Sequence, residues 1–325
     1  MRAVVITNPG ELELRDVAEP APPFAHVRVR VEFAGVNRAD LLQKMGLYPA
    51  PKGVPADIPG MEYAGVVDAL GDGVTSLAVG DRVHGLVGGG AYAEKIVAHE
   101  RVVVKVPDAL SSEHAAAVPE AYVTALDALV ARGRAQAGDS VLIHAAGSGV
   151  GVAAVQLAAR LGCRVIGTSR TPDKLERCKE HGLDVGIVPK GSEFAAAVKQ
   201  ATSGRGADVI VDLVGGAYMS ENVHAAATRG RIVVVGLTAG ASAEIDLRFL
   251  LSKRVEMIGT TLRARPLEEK IEAANLLARR IDPLFAPRCG LAAVIEAVLP
   301  LAEAARAHDL VAANATFGKV LLDCR

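Results

Sequence analysis

The segment Val141-Leu-Ile-His-Ala-Ala-Gly-Ser-Gly-Val-Gly151 runs from an apolar stretch into a glycine-rich turn, and an alanine-rich amphipathic segment, Val152 to Leu161, follows without a break. Strand, tight turn and helix in that order aim the free N–H groups of a helix N-terminus at whatever lies over the turn, a geometry suited to pyrophosphate. The spacing departs from G-x-G-x-x-G because position 152 is valine. An ordinary strand-to-helix turn is the competing explanation. A second strand, Arg164 to Thr168, completes a βαβ unit within about thirty residues and favours the dinucleotide. It ends in Ser169-Arg170, where an NAD site usually carries an acid for the ribose hydroxyl. Ser169, Arg170 and, one turn on, Lys174 suit a 2′-phosphate instead, while Asp173 is assigned to the helix dipole. The expected cofactor is NADPH, its pyrophosphate cradled by the backbone of Ser148, Gly149, Val150 and Gly151.

The elements that must position these residues change character near residue 110. Before it, short β-type runs (Ala3 to Ile6, His26 to Phe33, Gly65 to Asp68, Arg82 to Leu86, Tyr92 to Val97, Val102 to Val106) alternate with Pro and Gly clusters, the signature of an all-β, partly closed unit. After Ser111, helices and strands alternate. Helices are predicted from Ser111, at Ala121 to Ala131, Val152 to Leu161, Pro172 to His181 and around Ser220 to Ala227. The strands between them are Val141 to His144, Arg164 to Thr168, Val209 to Leu213 and Ile232 to Val235. That alternation predicts an α/β fold with a doubly wound parallel sheet. Two more helices are predicted, Pro266 to Arg279 and Leu291 to Leu299, the second stopped by Pro300, before a closing strand, Lys319 to Asp323.

Composition limits the partners. Thirty-six Lys and Arg against 37 Asp and Glu leave a formal charge of −1, with no basic block, so nucleic acid is not the expected partner. Four scattered cysteines, Cys163, Cys178, Cys289 and Cys324, form no C-x-x-C pair and fit a reduced, cytoplasmic setting. No apolar run is long enough for a signal peptide or a membrane span.

A β-rich unit leading into a nucleotide-binding unit resembles the medium-chain dehydrogenase/reductase superfamily. Asn37-Arg-Ala-Asp-Leu-Leu-Gln43, Pro59-Gly-Met-Glu-Tyr-Ala-Gly65, Val79-Gly-Asp-Arg-Val83, Gly138-Asp-Ser-Val-Leu-Ile-His144 and Phe317-Gly-Lys319 resemble its quinone oxidoreductase (zeta-crystallin-like) branch. Pro119-Glu-Ala-Tyr-Val-Thr-Ala125 and Thr260-Thr-Leu-Arg-Ala-Arg265 look closest to the tumour-suppressor-inducible group. The resemblance implies a GroES-like catalytic domain at 1–120 and 261–325, a Rossmann domain at 121–260, a homodimer, and NADPH-dependent reduction of quinones. Zinc members carry a Cys near position 37 and a Gly-His-Glu motif. Here Gly60-Met61-Glu62 replaces that histidine with a poor zinc ligand, and residues 85 to 105 contain no cysteine, so no metal is expected.

Without a Lewis acid, hydride from the cofactor needs an acceptor whose product anion is delocalised, a quinone or a conjugated enone. The expected donors to the acceptor oxygen are Asn37 and Tyr48, with Asp40 supporting the Asn37 loop through Arg38. The resemblance places Thr124 at the nicotinamide amide, and Gly236, Leu237, Phe317, Gly318, Lys319 and Asn314 around the nicotinamide and ribose. His144 is read as a packed residue supporting the turn. The reading that competes with quinone reduction is an enoyl or 2-alkenal reductase.

Overall fold

Strands Arg2–Ile6 (β1) and Leu12–Asp16 (β2) open the chain as an antiparallel ribbon. In the computed structural model, which describes residues 1–325, the chain divides into two units, Met1–Val123 with Leu262–Arg325, and Thr124–Thr261. The first continues through His26–Val36 (β3), helix Arg38–Lys44 (α1), Glu62–Leu70 (β4), Arg82–Leu86 (β5), Lys95–His99 (β6) and Val103–Lys105 (β7). Helices Ser112–Ala116 (α2), capped by the Ser111 hydroxyl, and Pro119–Leu126 (α3) follow, and a π-helical turn continues α3 through Asp127–Arg132.

The second unit alternates strand and helix: Ser140–Ile143 (β8), Gly149–Arg160 (α4), Arg164–Thr168 (β9), Pro172–Lys179 (α5), Val185–Ile187 (β10), Ala195–Ala201 (α6), Ala207–Asp212 (β11), Tyr218–Ala225 (α7), Ala226–Val234 (β12), Leu247–Lys253 (α8) and Glu256–Gly259 (β13). Its six strands are parallel in the order β10-β9-β8-β11-β12-β13. The chain reverses direction across the sheet between β8 and β11, the switch point at which doubly wound sheets bind their ligands. Every residue of β8 is buried, because helices cover both faces of a parallel sheet. Leu142, Ile166, Ile210 and Ile232 form the centre of its core.

The C-terminal segment, Leu267–Leu276 (α9), Ile295–Pro300 (β14), Ala304–Ala312 (α10) and Lys319–Asp323 (β15), belongs to the first unit. Seven strands form its sheet, in the order β14-β15-β3-β4-β5-β7, with β6 also pairing β3. β3 shares one edge between β6, along His26–Arg30, and β15, along Phe33–Val36. Alternate residues Val27, Val29 and Val31 are fully buried, as a half-covered strand requires.

The stretch Leu291 to Leu299 is not the helix its apolar spacing predicts. Ile295–Pro300 is a strand, parallel to β15, and β-branched Ile295 and Val298 suit that pairing. Pro300 closes the strand, and the helix starts beyond it. The short elements β2, β10, α6, α8 and β13 also lie outside the sequence expectations. No helix is long and apolar enough to cross a membrane.

Candidate functional site

In the second unit, β8 ends at Ile143 and the chain turns through Ala145, at φ 48°, into α4. Ser148 is the N-cap of α4, its hydroxyl accepting the Gly151 N–H at 3.1 Å. The Ser148 N–H donates to the Ala145 carbonyl. Two of the four expected phosphate donors, Ser148 and Gly151, are therefore spent on shaping the turn, and Gly149 and Val150 present the N–H groups at the half-exposed start of the helix. A Cβ at Gly151 would stand 2.3 Å from the Ala145 carbonyl oxygen, so only glycine lets the helix start this close to the turn.

At the same end of the sheet, β9 finishes at Thr168 and no carboxylate follows. Ser169 is buried, its hydroxyl accepting the Thr171 N–H; Arg170 is exposed and Lys174 half-buried on α5. Gly236 follows β12, its N–H and that of Val235 both donating to the Asp212 carbonyl, and Leu237 is exposed. Thr124 is buried on α3. The turn donors and the open glycine edge fit a nicotinamide nucleotide.

His144, fully buried, ties these segments together. Its Nδ1 lies 2.8 Å from Thr168 Oγ1 and its Nε2 2.7 Å from Asn222 Oδ1. Asn222 donates its Nδ2–H to Asp212 Oδ2, so its oxygen is the acceptor and His144 carries its proton on Nε2. Asp212 Oδ1 in turn accepts the Val214 and Gly215 N–H groups. Burial holds His144 below the usual imidazole range.

In the first unit, the predicted donors meet a buried ion pair. Lys319 Nζ, on β15, reaches Glu62 Oε1 at 2.5 Å, Asn37 Oδ1 at 2.6 Å and the Val36 carbonyl at 3.3 Å. Asn37 donates to Glu62 Oε1 at 2.9 Å, and Glu62 Oε2 accepts the Glu120 N–H. Both ends of the Asn37 amide and all three ammonium protons of Lys319 are thus engaged within the unit, and Gly35 leaves the space that Glu62 fills. Met61 is buried, and no group of three His, Cys, Asp or Glu side chains stands close enough to share a metal ion.

Asp40 supports the Asn37 loop directly rather than through Arg38. Its Oδ2 accepts the Asn37 N–H and the Tyr92 hydroxyl, and its Oδ1 accepts the Gly60 N–H. Arg38 instead binds the Val311 carbonyl and Asn314 Oδ1 at 2.6 Å, which gives Asn314 a bracing role beside α10. Phe317 is fully buried and Gly318, at φ 84°, turns the chain into β15.

Tyr48 sits half-buried under Arg263, whose guanidinium lies 5.0 Å from the ring centroid. Arg263 is itself buried, with Nε on the Gly88 carbonyl, Nη1 on the Tyr48 carbonyl and Nη2 on Gln43 Oε1. In the sequence Arg263 stands out only as part of the Thr260–Arg265 motif. Nothing local marks an arginine as the clamp of a loop more than two hundred residues earlier.

Asp40 and His308 flank the Tyr92 hydroxyl, and burial moves them in opposite directions: Asp40 up to about 6, His308 down to about 3. Between 3.8 and about 6, folded Asp40 holds a proton that the unfolded chain has released, so its contribution to stability falls as pH rises. Over the same window the unfolded chain holds a His308 proton that the folded state excludes, so that contribution rises with pH. Asp40→Asn should therefore add about 1.4 kcal/mol of stability per pH unit to the parent's slope, and His308→Leu should subtract as much. Urea unfolding at pH 4.5, 5.2 and 6 (about one proton's linkage being sought) checks the sign; parallel slopes in all three proteins would refute it.

Residues 24–108 match the family described as "Alcohol dehydrogenase GroES-like domain", and residues 149–279 that described as "Zinc-binding dehydrogenase". A quinone oxidoreductase of Pseudomonas aeruginosa is 36% identical over 97% of this chain and 96% of its own. Two solved structures, each 32% identical, superpose with a TM-score of 0.87 over 99% of both chains: a mycobacterial protein complexed with NADPH, and an NAD-dependent alcohol dehydrogenase. Such likeness leaves the choice of cofactor to the residues of this chain, but it settles the kinship: the protein is an oxidoreductase of the medium-chain dehydrogenase/reductase superfamily and belongs to its quinone oxidoreductase family.

Proposed function

We propose that this protein reduces quinones with NADPH and without a metal ion. The observation that carries the cofactor is the acid-free end of β9, where Ser169 and Arg170 follow Thr168 at the switch-point edge of the sheet. Gly149 and Val150 N–H groups hold the pyrophosphate, and Arg170 with Lys174 meets the 2′-phosphate; Thr124, Gly236 and Leu237 serve the nicotinamide end. NADPH, when bound, supplies the hydride.

In the first unit, the donor set argues for chemistry without zinc. Met61 offers a thioether in place of an imidazole, and the Glu62 carboxylate is already neutralised by Lys319. The role of Asn37 is to hold that pair and so shape the acceptor side, while Tyr48, braced by Arg263, offers the acceptor an aromatic face and a phenol donor. A quinone needs no more than this, because its product anion is delocalised. A homodimer completes the proposal, supported by the open edge of β13 with Met257 and neighbouring Leu251 exposed; light scattering at twice the chain mass checks it.

The function is tested by steady-state rates with 1,2- and 1,4-quinones and conjugated enones, each with NADPH and with NADH. Turnover of quinones with a clear preference for NADPH is expected. Turnover of enones alone, or equal use of NADH, would overturn the acceptor or the cofactor respectively.

A further inference from the structure

Tyr218 begins α7, two residues after the glycine pair Gly215-Gly216. Its half-buried ring packs edge-on against His144 at 5.0 Å and lies 5.1 Å from Phe194, so two neighbours fix its direction. His144 in turn holds Thr168 Oγ1, only two residues before Arg170, and reaches Asp212 and the Val214–Gly215 turn through Asn222. The aromatic cluster therefore lies against the strand end that carries the 2′-phosphate reading, and one framework of buried hydrogen bonds sets the position of both. Burial pushes the Tyr218 phenol up and the Asp212 charge adds to that push, while the Arg170 charge acts against it, and no hydrogen bond from the protein contributes there. A phenol O–H held this way, near an exposed guanidinium and with no protein acceptor, has the chemistry of a phosphate donor.

We propose that Tyr218 is a specificity-determining residue, its hydroxyl donating to the 2′-phosphate that Arg170 binds. The inference rests on the NADPH reading and adds to it a residue from the far side of the switch point, on α7 rather than on β9 or α5. It also gives His144 a role. By holding Thr168 on one side and the ring of Tyr218 on the other, His144 keeps donor and guanidinium at a fixed spacing.

Calorimetric titration of adenosine 2′,5′-bisphosphate and of AMP, with no quinone present, isolates this contact. Tyr218→Phe keeps the ring packing and removes only the donor. It should weaken the bisphosphate about tenfold, the worth of one hydrogen bond to a charged group, and leave AMP within about twofold. Equal weakening of both nucleotides would mean a structural role, and no change would mean no contact; either result overturns the proposal. Arg170→Ala separates this failure from a failure of the cofactor reading. If Arg170→Ala loses affinity for the bisphosphate and Tyr218→Phe does not, only the role of Tyr218 falls. If neither variant loses it, the NADPH reading falls as well. Thermal melts of both variants near the parent's midpoint confirm that folding is intact.

Discussion

Lys319→Met is expected to destabilise the protein by about 3–5 kcal/mol, the cost of leaving a buried carboxylate without its partner. Glu62 is fully buried, and Gly35 presses against its carboxyl, so the uncompensated charge has no route to water. The double replacement Lys319→Met with Glu62→Gln should recover most of that loss, since removing both charges removes the desolvation penalty along with the attraction. Urea unfolding of parent, single and double variants measures it. A single variant as stable as the parent would mean that the ion pair is not the element holding β15 to β4. Activity should not return in the double variant if Asn37 depends on the pair for its orientation, because its Oδ1 would have lost the ammonium and its Nδ2 the carboxylate.

Gly151→Ala is the second large effect. The added methyl would meet the Ala145 and Ala146 carbonyl oxygens at 2.3 and 2.7 Å, and both are backbone atoms that cannot swing away. The first turn of α4 must lift, at a cost of about 1–3 kcal/mol, and the Gly149 and Val150 N–H groups move with it. NADPH affinity should drop by more than the tenfold that about 1.4 kcal/mol represents. Fluorescence titration of the parent and the variant with NADPH reads it. Retained affinity in Gly151→Ala would show that the turn does not hold the nucleotide.

The parts of the fold legible in the sequence are those whose signals are local. β9 and β15 have the bounds read from the sequence, since apolar runs ended by turn residues carry their own limits. The glycine turn and the proline-started helix α5 are also local. β10 and β13, at the two edges of the parallel sheet, are short and partly exposed, so they leave no apolar run to find. Residues 291 to 299 fail for another reason. Their spacing suits a helix, and only the partner strand β15 decides otherwise.

The candidate site divides the same way. Ser169, Arg170 and Gly151 declare themselves by type and position along a βαβ unit. Asn37 is legible from its motif, but its partner Lys319 lies 282 residues away, and no spacing rule connects a buried ammonium to an amide at that distance. Ser148 reads as a phosphate ligand because it lies in the turn; as the N-cap it also gives the turn its shape. Arg263 and Tyr218 carry no local signal at all. Their importance comes from what the topology brings next to them.

The position of β15 also bears on the order in which the molecule can be made. The strand lies between β14 and β3, so a late-made segment must insert beside one made almost three hundred residues earlier. The Thr124–Thr261 unit has every strand of its sheet within one continuous stretch and can close while synthesis continues. The first unit cannot. Until Lys319–Asp323 arrives, β3 keeps its Phe33–Val36 edge open and Glu62 waits without its counter-charge, a period in which that edge is open to pairing elsewhere.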